Sequence, residues 1–134
     1  MANETSELIA RAFRDYNGGG VEALLPHVHP EFEMTTTSEI AAEPDTYRGH
    51  DGLRRYFGSF FEVMDKVEIK PAQVTPRDER ALIIFDIAAR GSTSGIETHL
   101  TGNSIVTIAE GKLMRIDFFT SGELAEEAFA DLSG

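Results

Sequence analysis

THLTGNSIVTI (98–108), AEG (109–111), KLMRIDFFT (112–120) and SGELAEEAFADL (121–132) decide the fold. The first and third segments alternate in strand fashion and are rich in Ile, Val, Thr and Phe. Between them a Gly-bearing break of about three residues closes a hairpin. The last segment is an acidic amphipathic helix. Upstream, two helical segments and a Gly run open the chain, so helices come early and an antiparallel meander late. That order is α+β.

Working back from the hairpin, ALIIFDIAARG (81–91) reads as a strong strand, followed by a flexible turn at 91–95. VEIKPAQVTP (67–76) is a strand whose internal Pro71 places it at an edge or a bulge. GLRRYFGSFFEVM (52–64) has an apolar stripe of Leu53, Phe57, Phe60, Phe61 and Met64, and Asp51 is positioned to cap it. SEIAAEPDT (38–46) is a polar loop, FEMTTT (32–37) a short strand, and HVHPEF (27–32) a connector. NETSELIARAFRDYN (3–17) buries Leu8, Ile9, Ala12, Phe13 and Tyr16 on one helical face and ends at Gly18, Gly19 and Gly20. A short helix over 21–25 stops near Pro26. The reading for 1–134 is one domain, α-α-β-α-β-β-β-β-α.

Composition narrows the partners. The 134 residues carry 23 acids against 12 Lys and Arg, a net charge of −11. Nucleic acid and anionic membranes need a positive field, so neither is expected. The chain has no Cys, which removes disulfides, thiolate metal sites and Cys nucleophiles. No apolar stretch is long enough to span a bilayer and no leader pattern opens the sequence, so a cytoplasmic protein is expected.

YNGGG (16–20), LLPHVHPEFEM (24–34), YRGHDGLRRYF (47–57) and IAEGKLMRIDFF (108–119) occur in an order and spacing that resembles the nuclear-transport-factor-2-like superfamily, in its SnoaL-like and ketosteroid-isomerase-like branch. The resemblance covers nearly the whole chain. It implies a cystatin-like α+β roll: a cone-shaped, curved mixed sheet packed on three helices, with a pocket at the wide end and dimerisation through the outer face of the sheet. A protein of this kind binds a small molecule and needs no cofactor.

Within that resemblance, the acid–base positions are filled by other residues. Aligned on YNGGG and EGK, the isomerase-like donor, base and protonated Asp fall at Ala12, Thr36 and Ser104. The cyclase-like Asp of the last strand falls at Phe118 and its His partner at Ser104. The remaining catalytic candidates are Asp86, set inside an apolar run, His99 and Asp117. His27 and His29, in a connector with Glu31, have the His-x-His spacing of a metal-binding pair, but no third ligand is evident and no metal site is expected. His50 stands beside Asp51 at a helix start. The expected ligand-binding residues are Phe13, Tyr16, Met34, Thr36, Tyr47, Tyr56, Phe57, Phe60, Ser104 and Phe118, apolar walls with a few hydroxyls that suit an uncharged ring compound.

Alternation, with Ala109–Gly111 as a three-residue turn, puts Ser104, Val106, Ile108, Met114, Ile116 and Phe118 toward the helices. Asn103, Ile105, Thr107, Leu113, Arg115 and Asp117 then face outward. A symmetric 91–95 turn sets Arg90 opposite Glu97 and Asp86 opposite Thr101, with His99 on the same outer side. Leu82, Ile84, Ile105, Leu113 and Phe119 would leave an apolar outer patch, the expected homodimer surface. Two functions fit: an isomerase, cyclase or hydrolase acting on an apolar ring-containing substrate, or a non-catalytic dimeric binding or accessory module.

Overall fold

The computed structural model describes residues 4–37, 46–61, 64–91 and 93–132, with the side chains of residues 60, 61, 65 and 132 outside that description. The expected loop over 38–46 therefore lies almost wholly outside the described residues, as does the Phe60 side chain. Helix α1 (Glu4–Gly19) and the one-turn α2 (Val21–Leu24) lead through a 3-10 turn into strand β1 (Val28–Thr35). Then come β2 (Thr46–Arg48), α3 (Gly49–Phe61), β3 (Met64–Arg77), β4 (Arg80–Gly91), β5 (Glu97–Ala109), β6 (Lys112–Phe119) and α4 (Gly122–Leu132). The strands form one sheet in the order β2-β1-β6-β5-β4-β3. Only β1 and β6 run parallel among these pairs; the other neighbours are antiparallel. The α+β class and the mixed sheet are as expected.

Helix α1 buries the stripe its spacing dictates, Leu8, Ile9, Ala12, Phe13 and Tyr16. It continues through Gly18 and Gly19 and stops at Gly20, whose φ of 79° belongs to the left-handed region. The C-terminal end of α1 is tied to β3 and its N-terminal end to the turn that follows β3. Thr5 Oγ1 donates to the Asp78 carbonyl at 2.9 Å, and the Tyr16 hydroxyl donates to the Val67 carbonyl at 3.1 Å. Asn17 bonds Ile69 twice: Nδ2 donates to its carbonyl at 2.7 Å and Oδ1 accepts from its N–H at 2.9 Å.

Since β3 is an edge strand, an amide there satisfies backbone groups that no neighbouring strand reaches. Asn17→Ala is expected to lower stability by about 1–3 kcal/mol, the cost of orphaning half-sheltered backbone groups, read by urea unfolding. A loss within error would mean water replaces the amide.

Several sequence expectations need correction. The connector 27–32 is mostly strand, because β1 begins at Val28. A three-residue strand, β2, pairs with it through Met34 and Tyr47. Helix α3 starts at Gly49, so Asp51 lies in its first turn and pairs with Arg54 at 3.0 Å. Met64 opens β3 and does not close the helix.

The hairpin turn has two residues, Glu110 and Gly111, both with positive φ, and Ala109 pairs with Lys112. A bulge follows: Ile108 pairs with Leu113 while Thr107 pairs with Arg115, leaving Met114 without a partner in the ladder. Leu113, expected outside, is therefore buried in the core, and Met114, expected inside, is only half-buried. Beyond the bulge the expected faces hold, and on β4 and β5 Arg90 meets Glu97 and Asp86 meets Thr101.

The core cluster fills the concave side of the sheet under α1, α2 and α3. Ile105 alternates to the convex side, and it is buried there too. Helix α4, in contact with β4, β5 and β6, carries the buried Ala125 and Phe129, neither of which joins the concave core. Arg77 stacks its guanidinium 4.8 Å from the Phe129 ring. So α4 covers part of the convex face. Of the five residues expected to form an exposed outer patch, Leu113 and Ile105 are buried, and Leu82, Ile84 and Phe119 are half-buried.

Candidate functional site

A cavity lies in the concave core between the sheet and α3. Its volume is about 30 Å³, room for about two water molecules. Phe13 from α1, Met34 from β1, Tyr56 and Phe57 from α3, and Phe118 from β6 stand on its wall. Aliphatic side chains complete it, among them Leu24, Val28, Leu53, Ile69 and Leu113. The wall follows from periodicity: the stripe of α3 and the inward residues of four strands converge on one volume.

Of the expected ligand-binding residues, Tyr16, Thr36, Tyr47 and Ser104 lie off this wall. Tyr16 spends its hydroxyl on Val67 and packs its ring 4.8 Å from Phe57. Ser104 faces the concave side as expected, but it is fully buried and donates to the Ile83 carbonyl at 3.1 Å. Tyr47 is buried with Arg55 over one face of its ring at 4.4 Å and Tyr56 5.2 Å away edge-on. Burial pushes the hydroxyls of Tyr16 and Tyr56 far above the ordinary tyrosine range, so both stay protonated. Each donates or accepts hydrogen bonds as a neutral group and is no base.

Asp86, His99 and Asp117 all occupy the convex face, away from the cavity. Asp86 and His99 are exposed. Lys70 and Thr101 are the cross-strand neighbours of Asp86, and Ala88 that of His99. Asp117 is held in a network: it accepts from Thr35 Oγ1 at 2.8 Å and from Arg115 Nε at 2.8 and 3.0 Å. Arg115 in turn lies 3.9 Å from Glu33, which Arg48 approaches at 3.6 Å. This chain of opposite charges staples β2, β1 and β6 together, and the Asp117 carboxylate holds Arg115 more firmly protonated.

The histidines near the N-terminal half serve the scaffold. His27 Nε2 donates to Asp15 at 2.8 Å. His29 Nε2 donates to Glu110 at 3.2 Å while its Nδ1 accepts from the Glu31 N–H. His50 Nε2 donates to the Val28 carbonyl at 2.8 Å. No group of three metal-ligating side chains occurs among the described residues. No helix among them is long and apolar enough to cross a membrane.

Of the aromatic residues on this wall the sequence reading named Phe13, Tyr56, Phe57 and Phe118 and not Phe32 or Phe85, and it named none of the Leu, Ile and Val residues, since these carry no mark that separates a cavity wall from a filled core.

Known proteins match this geometry. TerC, co-crystallised with polyporic acid, superimposes with a TM-score of 0.76 at 17% identity, over 93% of this chain and 97% of TerC. A nuclear-transport-factor-2-like protein of unknown function from Burkholderia pseudomallei gives 0.76 at 11% identity, over 96% and 97% of the two chains. A protein assigned as a polyketide cyclase, from Xanthomonas campestris pv. campestris, gives 0.74 at 13%, over 95% of each. At these identities the likeness shows the fold. No curated protein matches the sequence. The SnoaL-like domain matches residues 9–116, most of the length, and the chain belongs to that family.

Proposed function

We propose that this protein binds an uncharged, apolar, ring-containing small molecule in its concave core, without acid–base chemistry of its own. The observation that carries this reading is the make-up of the cavity wall. Among the described residues it is aliphatic and aromatic, Tyr56 brings the one hydroxyl, and no carboxylate or imidazole is included. Proton transfer needs an acid or base within hydrogen-bond reach of the substrate. Asp86, His99 and Asp117 stand on the other side of the sheet. A structural neighbour co-crystallised with a ligand, polyporic acid, supports small-molecule binding by this fold.

A ligand of that kind should raise the melting temperature in proportion to the logarithm of its concentration. A thermal-shift panel of uncharged ring compounds, toluene among them, is the test. Asp86→Asn, His99→Gln and Asp117→Asn should leave the shift unchanged. A ring compound that is turned over, with turnover abolished by one of the three substitutions in a folded protein, would overturn the reading in favour of an isomerase, cyclase or hydrolase.

For assembly, we propose that two copies pair through the part of the convex face near Ala88. There Lys66, Lys70 and Arg90 stand among Glu68, Asp86 and Glu97 on three adjacent strands. Three charges of each sign, in a chain of net charge −11, let a copy turned through a half-circle meet opposite charge. Sedimentation at micromolar concentration is expected to give a dimer that Arg90→Glu weakens. A wild-type monomer would refute it.

A further inference from the structure

The core is too full for the ligand class proposed above. A cavity of about 150 Å³ holds a benzene-sized ring, whereas this one has about 30 Å³. Some wall residue has to move. Phe13, Phe32, Tyr56, Phe57 and Phe85 are each at most 4% exposed, locked on all sides. Phe118 differs. It lies on the cavity wall yet is only half-buried, one residue before the end of β6.

Its ring rests on Gly102 of β5. A Cβ at position 102 would stand 3.0 Å from Phe118 Cε1, tighter than most real Cβ contacts, and 3.5 Å from its Cδ1, an ordinary contact, so the ring would have to give by a few tenths of an ångström. Gly102 has ordinary backbone geometry, since it is absent from the positive-φ glycines. Turn conformation does not explain a glycine in the middle of a strand. Close approach of another group does. The missing side chain makes a notch in the concave face, and the Phe118 ring fills it, with the Phe85 ring 6.2 Å away.

We propose that Phe118 is the gate of the binding cavity and Gly102 its seat: the ring occupies the notch in the empty protein and swings outward when a ligand ring takes its place against Gly102 and Phe85. This rests on the core being the ligand site. It assigns specificity as well, because the space released is one phenyl ring wide and the described cavity wall around it carries no charged side chain.

The chain has no Trp, so Phe118→Trp places a single indole reporter at the gate. Toluene is the probe. On its addition the indole emission should shift to the red, with a several-fold rise in acrylamide quenching, as the side chain leaves the notch. Gly102→Ala in the same background narrows the seat, and with no toluene present the emission should already move part of the way to the red. Should the indole not be accommodated, the ring signals of Phe118 in a toluene titration of the wild type, followed by NMR, read the same movement.

If toluene raises the melting temperature while the reporter stays blue and shielded, the gate is refuted and the binding cavity stands. If Gly102→Ala leaves the emission unmoved, the ring does not sit in the notch and the gate is again refuted. If toluene leaves the melting temperature of wild type and variants unchanged, the cavity reading falls and the gate falls with it.

Discussion

Leu113→Ala is expected to cost about 2–5 kcal/mol of stability, the range for emptying a buried leucine site, while Met114→Ala costs about 1 kcal/mol or less. The two residues are neighbours on one strand, and the contrast comes from the bulge alone. Leu113 is 1% exposed, joins the concave core and pairs with Ile108 on one side and Val28 on the other. Met114 has no partner in the β5–β6 ladder and keeps part of its surface in water. Urea unfolding of both variants settles the ranking, provided the denaturant slope is unchanged. The opposite order would mean the regular three-residue turn that the sequence first implies, with Met114 inside.

That bulge marks the limit of what the sequence discloses. Alternation along β4 and β5 gave the Arg90–Glu97 and Asp86–Thr101 pairs correctly, because the intervening turn is symmetric and adds no extra residue. In AEGK a two-residue turn followed by a bulge and a three-residue turn differ by one peptide. Pattern alone does not separate them, since both put one apolar residue inside. β2 escaped notice because three residues carry no periodicity. The strand character of 28–31 was hidden by His29, Pro30 and Glu31, whose side chains are exposed or only partly covered.

For the site, Phe13, Tyr56 and Phe57 stood out on the stripes of α1 and α3, while Phe32 and Phe85 on the strands did not. The expected roles of Ser104 and Tyr16 were not, because their partners are backbone carbonyls of Ile83 and Val67 from strands distant in sequence. Asn17 was missed for the same reason. A side chain that satisfies an edge strand's backbone has no sequence partner to reveal it.

Ile105→Glu should be the most damaging of the substitutions considered, costing about 3–5 kcal/mol or more, the range for leaving a buried charge uncompensated. Sequence alone placed Ile105 on an open outer face, where a glutamate would merely separate two copies. The structure places it 2% exposed on the face that α4 covers. Its cross-strand neighbours are Leu82 on β4 and Asp117 on β6. A carboxylate at position 105 would stand directly opposite a like charge, and Arg115 beside it is already engaged by Asp117.

Burial and repulsion both raise the pKa of such a carboxyl in the folded state. The unfolded chain then binds fewer protons than the native one between the unfolded and the raised folded pKa, so the deficit is full above the folded value and shrinks as pH falls through that window. Ile105→Val, which keeps the site apolar, should cost about 0.5–1.5 kcal/mol. Circular dichroism melts at two pH values, with sedimentation alongside, separate the two pictures. A cooperative loss of stability that eases in acid places Ile105 under α4. A folded monomer with the wild-type melting temperature would put it on an open interface instead.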